Sequence, residues 1–117
     1  MDRAASPSAA LIADRGHGGA QNSSVAIGRA ERMAERRPRI VAVFGEAAAE
    51  TVIEVLTLTE LAWHDCYAEV SPSESIIDDI LLCSGGDLTT LIRAAKLAVE
   101  DYRDLKLWAV DVRGRPL

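Results

Sequence analysis

In this 117-residue chain, the neighbouring residues His64 and Asp65 are the clearest candidates for metal binding or catalysis. Imidazole and carboxylate groups both bind divalent metals, and such a pair on a helix can contribute to a hydrolytic metal site. A complete site needs more ligands, and the second histidine, His17, lies far upstream. The spacing therefore favours a surface histidine paired with Glu60, one helical turn earlier. The alternative is a small helical metal-dependent hydrolase that uses His64, Asp65 and helix carboxylates.

Acidic residues recur in groups after residue 45, and carboxylates on facing helices can hold two metal ions. Helical two-metal sites use a Glu-x-x-His spacing, whereas this chain has Glu60-x-x-x-His64. The glutamates also lie opposite the apolar stripe of their predicted helix. We therefore expect a solvated acidic face with no metal and no cofactor, in which Asp79 alone borders an apolar arc. The groups are Glu46, Glu50 and Glu54; Asp78 and Asp79; Glu100, Asp101 and Asp104.

Two further features favour structural roles over chemical ones. Cys66 and Cys83 form no Cys-x-x-Cys motif, and both fall within predicted apolar arcs, so we expect them to pack as small hydrophobic residues. The segment Ser84-Gly85-Gly86-Asp87 precedes a predicted helix, where backbone amides can bind an anion. Because the Asp87 carboxylate would itself occupy those amides, the segment is predicted to be a helix–helix connection.

Five arginines lie close together before residue 40, which is a pattern found in arms that bind nucleic acid or acidic surfaces. Glu31 and Glu35 interrupt the cluster, and no aromatic residue is available there to stack on bases. We therefore do not expect a nucleic-acid partner. The cluster is equally able to fold back on the acidic face of the same chain. Its members are Arg29, Arg32, Arg36, Arg37 and Arg39.

The composition of the chain changes at Arg39. This change separates two groups of predicted elements that position the residues above. Residues 1–39 carry seven basic and four acidic side chains and few large apolar residues, whereas residues 40–117 carry six basic and fourteen acidic ones. The first segment is predicted to be a basic, mostly disordered leader, with one short helical stretch, Ser24–Arg37, that Pro38 ends. Met33 is a possible alternative start. Residues 40–117 are predicted to form one acidic helical domain.

Apolar residues recur at helical spacing through this domain and predict three helices, at about 45–70, 72–83 and 88–112. The predicted buried stripe of the first helix includes Val52, Leu56 and Trp63, and that of the third includes Leu91, Ile92 and Leu105. Ser71 and Pro72 are predicted to begin the second helix, Gly85 to end it, and Asp87 to cap the third. Residues 40–44 are apolar and β-branched, and without a second strand to pair with they are predicted to be an extended entry or a first helical turn. The fold class is therefore all-α: a small antiparallel three-helix bundle with two long helices and one short one, behind the leader.

Several apolar residues lie outside the main stripes of the two long helices. Leu58 and Leu61 fall toward the acidic side of the first helix, and Leu97 and Trp108 fall on the polar side of the third. Asp101 and Asp104 lie between the last two. Tryptophan is enriched in binding hot spots, so these six residues are predicted to form an interface. Asp101 and Asp104 are its predicted acidic rim.

The preferred function is a non-enzymatic helical protein-interaction module, acting as an adaptor, regulator or accessory subunit. We expect it to self-associate as a homodimer through its long-helix faces, with a further protein partner of unknown identity. No apolar run approaches the ~20 residues of a membrane span, so no membrane partner is expected. Residues 9–13 are too short for the core of an export signal, and a cytoplasmic location is expected.

Overall fold

The computed structural model describes residues 16–115, and the side chains of residues 28–115. This part of the chain contains four α-helices, one 3-10 turn and no strand: α1 Gly16–Phe44, the turn Glu46–Ala48, α2 Ala49–Tyr67, α3 Glu74–Ser84 and α4 Leu88–Gly114. The all-α class is confirmed, whereas the predicted count of three helices is wrong, because α1 is an additional helix. No helix among the described residues is long and apolar enough to cross a membrane. The chain divides into two units, residues 1–35 and residues 36–117, and the boundary falls within α1.

The course of α1 differs from the sequence prediction. Pro38 lies inside the helix, which continues through residues 40–44, although a proline removes a backbone donor and disfavours helix in the residue before it. Arginines on both sides of Pro38 form ion pairs within residues 36–117, and Ile40 is completely buried. These contacts outweigh the local preference. Arg36 and Arg39 therefore lie in one helix that continues past Pro38, where the predicted helical stretch was expected to end.

Helix α2 is shorter than predicted at both ends. Gly45 takes a φ of 87°, a conformation that favours glycine, and turns the chain from α1 toward α2. Ala68 ends the helix in the left-handed region, and its backbone N–H donates to the His64 carbonyl at 2.8 Å. Val52, Leu56 and Trp63 are buried as the predicted stripe requires.

The connections of α3 are set by its caps. The N-cap is Ser73, whose hydroxyl accepts from the Ile76 N–H at 3.3 Å, so the predicted start at Ser71 and Pro72 is two residues early. Gly85 ends α3 in the left-handed region as predicted. Asp87 caps α4 as predicted, and its carboxylate accepts from the Thr90 N–H at 2.9 Å. The Thr90 hydroxyl donates to the same carboxylate and, together with that N–H, lowers the Asp87 pKa.

Helix α4 consists of two segments joined at Asp101, where φ is −160° and ψ is 90°. The Asp101 carboxylate accepts from the Arg103 N–H at 3.1 Å and so caps the second segment. The carbonyl of Val99, just before the break, accepts from the Tyr67 hydroxyl at 2.9 Å. The continuous helix predicted for this region is therefore broken, and α2 is attached to α4 at the break.

The core of residues 36–117 lies mainly between α3 and α4, and α2 also packs on α4. Helix α3 contributes isoleucines to this core, and α4 contributes leucines and alanines. The buried apolar residues of these two helices are Ile76, Ile77, Ile80, Leu81, Cys83, Leu91, Ala94, Ala95, Ala98, Leu105 and Ala109.

Candidate interaction groove on helices α2 and α4

An apolar groove with a volume of about 430 Å³ runs between α2 and α4. Leu58 on one helix and Ile92 on the other lie at its edges and are 66% and 54% exposed. Ile92 was predicted to be part of the buried stripe of its helix, and that prediction is wrong because the groove leaves its side chain in solvent. The residues that line the groove are Val55, Leu58, Thr59 and Ala62 from α2, and Ile92, Ala95, Lys96, Val99 and Glu100 from α4.

Small side chains line the groove alongside the larger apolar ones. Thr59, Ala62 and Ala95 contribute little volume, which leaves space between the larger side chains. The Thr59 hydroxyl donates to the Val55 carbonyl of its own helix at 2.8 Å, so this polar group is already satisfied within the helix. The groove is therefore suited to apolar side chains from a binding partner.

The ionisable residues that line the groove carry opposite charges. Lys96 and Glu100 lie one helical turn apart on α4, and their charged atoms are 3.9 Å from each other. Both side chains are largely exposed. The groove lining is therefore electrically neutral, in a chain whose formal net charge is −5.

An aromatic cluster fixes the relative position of α2 and α4 near the groove. The rings of Trp63 and Tyr67 have centroids 4.3 Å apart, and Tyr102 lies 6.0 Å from Trp63 and 6.2 Å from Tyr67. The Trp63 indole N–H donates to the Glu69 carboxylate at 3.0 Å, and Tyr67 donates to Val99. With these polar groups satisfied, the rings stabilise the packing that forms the groove.

The structure does not bring all six predicted interface residues together in the groove. Leu58 lines it, and Leu61 is exposed one turn further along α2. Leu97 and Trp108 are half-buried on α4 and are not among the lining residues. Asp101 caps the second segment of α4, and Asp104 is exposed.

A buried ionic cluster, which sequence reasoning missed, lies where α1, α2 and α3 meet. Arg36 and Glu60 are both completely buried, and the guanidinium donates to the Glu60 carboxylate at 2.8 Å. The same guanidinium contacts Glu74 at 2.6 Å and the Ser71 hydroxyl at 2.9 Å. Glu60 lies four residues after Leu56 and three before Trp63, so the helical period placed it on the buried face. The position of Glu60 in the apolar period, and not a pairing with His64, therefore indicates where this side chain lies.

Two neighbouring arginines extend this cluster onto the surface. Arg37 pairs with Glu50 and, at 2.8 Å, with Glu46; Arg39 pairs with Asp78 and, at 2.6 Å, with Glu74. Hydrogen bonding to Arg36, and then to Arg39, lowers the Glu74 pKa. Arg36, Arg37 and Arg39 therefore pair with acidic residues of their own chain, one of the two possibilities open from the sequence for the arginine cluster.

Asp79 forms a second buried ionic site between α3 and α4. It is 2% exposed and accepts from Lys106 at 2.8 Å and from Arg113 at 2.7 Å. Burial, followed by the charge of Asp79, raises the pKa of the Cys83 thiol to about 11. Cys83 is buried as predicted, whereas the predicted burial of Cys66 is wrong: this residue is exposed, one residue before the end of α2.

The histidine–aspartate pair considered for metal binding lies on the surface. His64 and Asp65 are exposed near the end of α2. Among the residues that the structure describes, no group of three or more histidine, cysteine, aspartate or glutamate side chains is arranged to hold a metal ion. Comparisons of the chain with models of known protein families, with curated proteins and with solved structures find no match.

Proposed function

We propose that this chain is a non-enzymatic helical protein-interaction module that self-associates as a homodimer through the groove on α2 and α4. The observation that carries the proposal is the groove itself, with Leu58 and Ile92 exposed at its edges. Burial of each such side chain contributes roughly 1.5–3 kcal/mol. Recognition of helix faces of this kind is how adaptors, regulators and accessory subunits bind one another.

A second copy fits this groove for reasons of charge and shape. Two copies of an acidic chain repel each other, so contact is favoured through a neutral surface, and the groove lining carries one lysine and one glutamate. A two-fold interface uses the same patch on both copies, and that patch must supply both protruding and receiving groups. Leu58 and Ile92 are exposed apolar side chains of this patch, and Ala62 and Ala95 are small side chains in its lining.

Molar mass by light scattering during size exclusion, over a concentration series, tests the proposal. The wild-type chain is expected to run as a dimer, and Leu58→Ser to weaken dimerisation by about tenfold or more, since it removes an apolar side chain from the interface. Leu107→Ser is the matched control: Leu107 is 68% exposed on α4 but does not line the groove. It is expected to keep the wild-type mass.

The same measurement tests the interface residues that were predicted from the sequence. Leu61→Ser is expected to weaken the dimer less than Leu58→Ser, because Leu61 is one turn from Leu58 and outside the groove lining. Trp108→Ala tests in the same way the predicted interface residues that do not line the groove. A wild-type chain that remains monomeric across the series, or equal effects of Leu58→Ser and Leu107→Ser, would refute the groove as a dimer interface.

A further inference from the structure

We propose that the second segment of α4, residues 102–114, is an element that two copies of this chain can exchange. In the exchanged form α4 is straight through Asp101, and its second segment packs on α3 of the other copy. In the closed form the segment packs on α3 of its own chain, and Asp101 and Tyr67 hold it there. The exchange is separate from the groove and gives the chain a second way to self-associate.

The sequence around the break in α4 favours a straight helix. Residues 88–113 contain no glycine or proline, which are common causes of a sharp break. Apolar residues also keep one heptad repeat, with alternating steps of four and three residues, on both sides of Asp101. The repeat consists of Leu91, Ala95, Ala98, Tyr102, Leu105, Ala109 and Val112. Tyr102 belongs to the repeat and is nevertheless 38% exposed in the broken helix. The local preference for a straight α4 therefore conflicts with the break in the closed form.

Two side-chain hydrogen bonds hold the backbone groups that would bond to each other in a straight α4. In a straight helix the Arg103 N–H would donate to the carbonyl four residues earlier, that of Val99. In the structure the Asp101 carboxylate accepts from this N–H at 3.1 Å, and the Tyr67 hydroxyl donates to this carbonyl at 2.9 Å. The closed and straight forms therefore differ by an exchange of partners that leaves neither backbone group unsatisfied.

The contacts of the second segment with α3 are ones that a second copy can supply unchanged. Lys106 donates to Ser75 and to Asp79, each at 2.8 Å, and Arg113 donates to Asp79 at 2.7 Å. Leu105 is completely buried. Because α3 of a second copy offers the same partners, the exchange restores these contacts between chains, as in domain swapping.

Cross-linking distinguishes the two forms, because one pair of positions lies within a chain in the closed form and on two chains in the exchanged form. Ser75→Cys and Lys106→Cys supply the two reactive thiols for a short bismaleimide. Cys66→Ser removes the exposed native thiol, and Leu58→Ser weakens association through the groove. This background chain is expected to give cross-linked monomers on a denaturing gel.

Removal of the two bonds at the break is expected to favour the exchanged form. In the background chain, Tyr67→Phe with Asp101→Ala is expected to raise the share of covalent dimers at least about tenfold, since neither side chain then holds the break. The matched control makes the same two changes at Tyr102 and Asp111, which leaves both bonds at the break in place. It is expected to give monomers, like the background chain.

The outcomes separate the exchange from the proposed function. Cross-linked monomers alone from the double variant, or equal shares of covalent dimer in that variant and its control, overturn the exchange and leave association through the groove standing. If circular dichroism shows that the double variant does not fold, Asp101→Ala alone is tested against the same outcomes. A wild-type chain that is monomeric by light scattering overturns the proposed function and not the exchange, which the covalent dimers measure independently.

Discussion

Arg36 links α1 to α2 and α3 through ion pairs with Glu60 and Glu74. Its guanidinium and the Glu60 carboxylate are both 0% exposed, and removal of one partner leaves the other with a buried charge. We expect Arg36→Met to lower the free energy of unfolding by about 3–5 kcal/mol. Urea denaturation followed by circular dichroism measures this change.

Arg39→Met is the matched control for that substitution. Arg39 is in the same helix and pairs with Glu74 and Asp78, but its side chain is 37% exposed, so water screens these pairs. We expect a loss of no more than about 1 kcal/mol. If Arg36→Met lowers the free energy of unfolding no more than Arg39→Met does, the buried cluster does not stabilise the fold by the expected amount. Replacing both Arg36 and Glu60 with leucine or methionine is expected to recover part of the loss, since neither charge is then buried alone.

Glu74 makes the stability of the protein depend on pH. Arg36, and then Arg39, lowers its pKa in the folded state below the ordinary value of 4.5. The resulting stabilisation is complete above the unfolded-state pKa and is lost as pH falls through the lower, folded-state pKa. The difference in unfolding free energy between the wild type and Glu74→Gln is therefore expected to shrink as pH is lowered from 6 to 3. A difference that stays constant over this range would contradict the assignment.

The two thiols are expected to differ strongly in reactivity. The Cys83 pKa is raised from 9.0 to about 11, which lowers its thiolate fraction near neutral pH by about 100-fold, and the side chain is also buried. Cys66 is exposed. Iodoacetamide at pH 8 is expected to label one thiol per folded chain, and Cys66→Ser to abolish that rapid labelling. Rapid labelling of Cys66→Ser would show that Cys83 is accessible in the folded protein.

At the scale of elements, the end of α1 packs on the connection between α3 and α4. Gly86 has a φ of +81°, and a Cβ at this position would lie 2.9 Å from the Val43 carbonyl oxygen. Gly85, next to it, has a φ of +58° and open space around the same point. Gly85→Ala is expected to cost about 1 kcal/mol for its backbone conformation alone, and Gly86→Ala clearly more, because Val43 must also move. Thermal unfolding of the two variants makes the comparison, and equal losses would contradict this packing.

Local signals predicted the ends of α3 and α4 to within two residues, because caps are properties of neighbouring residues. Asp87 as a cap and Gly85 as a stop needed no knowledge of the rest of the chain. The same local signals failed for α1. Pro38 is a correct local reason to end a helix, but Arg36 forms its ion pairs with residues 24 and 38 positions away. Contacts at that separation are not visible in a local pattern.

The candidate site was predicted in part for the same reason. Leu58 was recognised as an apolar residue off its stripe, which is a local observation. Ile92 was assigned to the buried stripe, and only the packing of α2 against α4 shows that the groove leaves it exposed. Asp101 was predicted to be a rim residue, and the break in α4 makes it a cap. An aspartate within a helical pattern is a weak signal for such a break.

At the scale of the whole molecule, several acidic residues after residue 45 form ion pairs with basic residues of the same chain. Three arginines of α1 pair with carboxylates that follow residue 45, and Lys106 and Arg113 pair with Asp79. This internal pairing offsets part of the self-repulsion of an acidic chain. It also gives Arg36, Arg37 and Arg39 a role within the fold, one of the two roles that the sequence left open for the arginine cluster.

Where the folded unit begins is therefore open to a direct test. A chain that starts at Met33 keeps Arg36, Arg37 and Arg39, whereas a chain that starts at Ile40, the predicted boundary, lacks all three and deprives the buried Glu60 of its Arg36 partner. We expect the shorter chain to be less stable in urea by at least about 3 kcal/mol, a large share of the 5–15 kcal/mol typical of a small domain. Equal unfolding midpoints would place the start of the stable unit at or after residue 40. A loss of the expected size would place the start before Arg36 and make the arginines part of the domain.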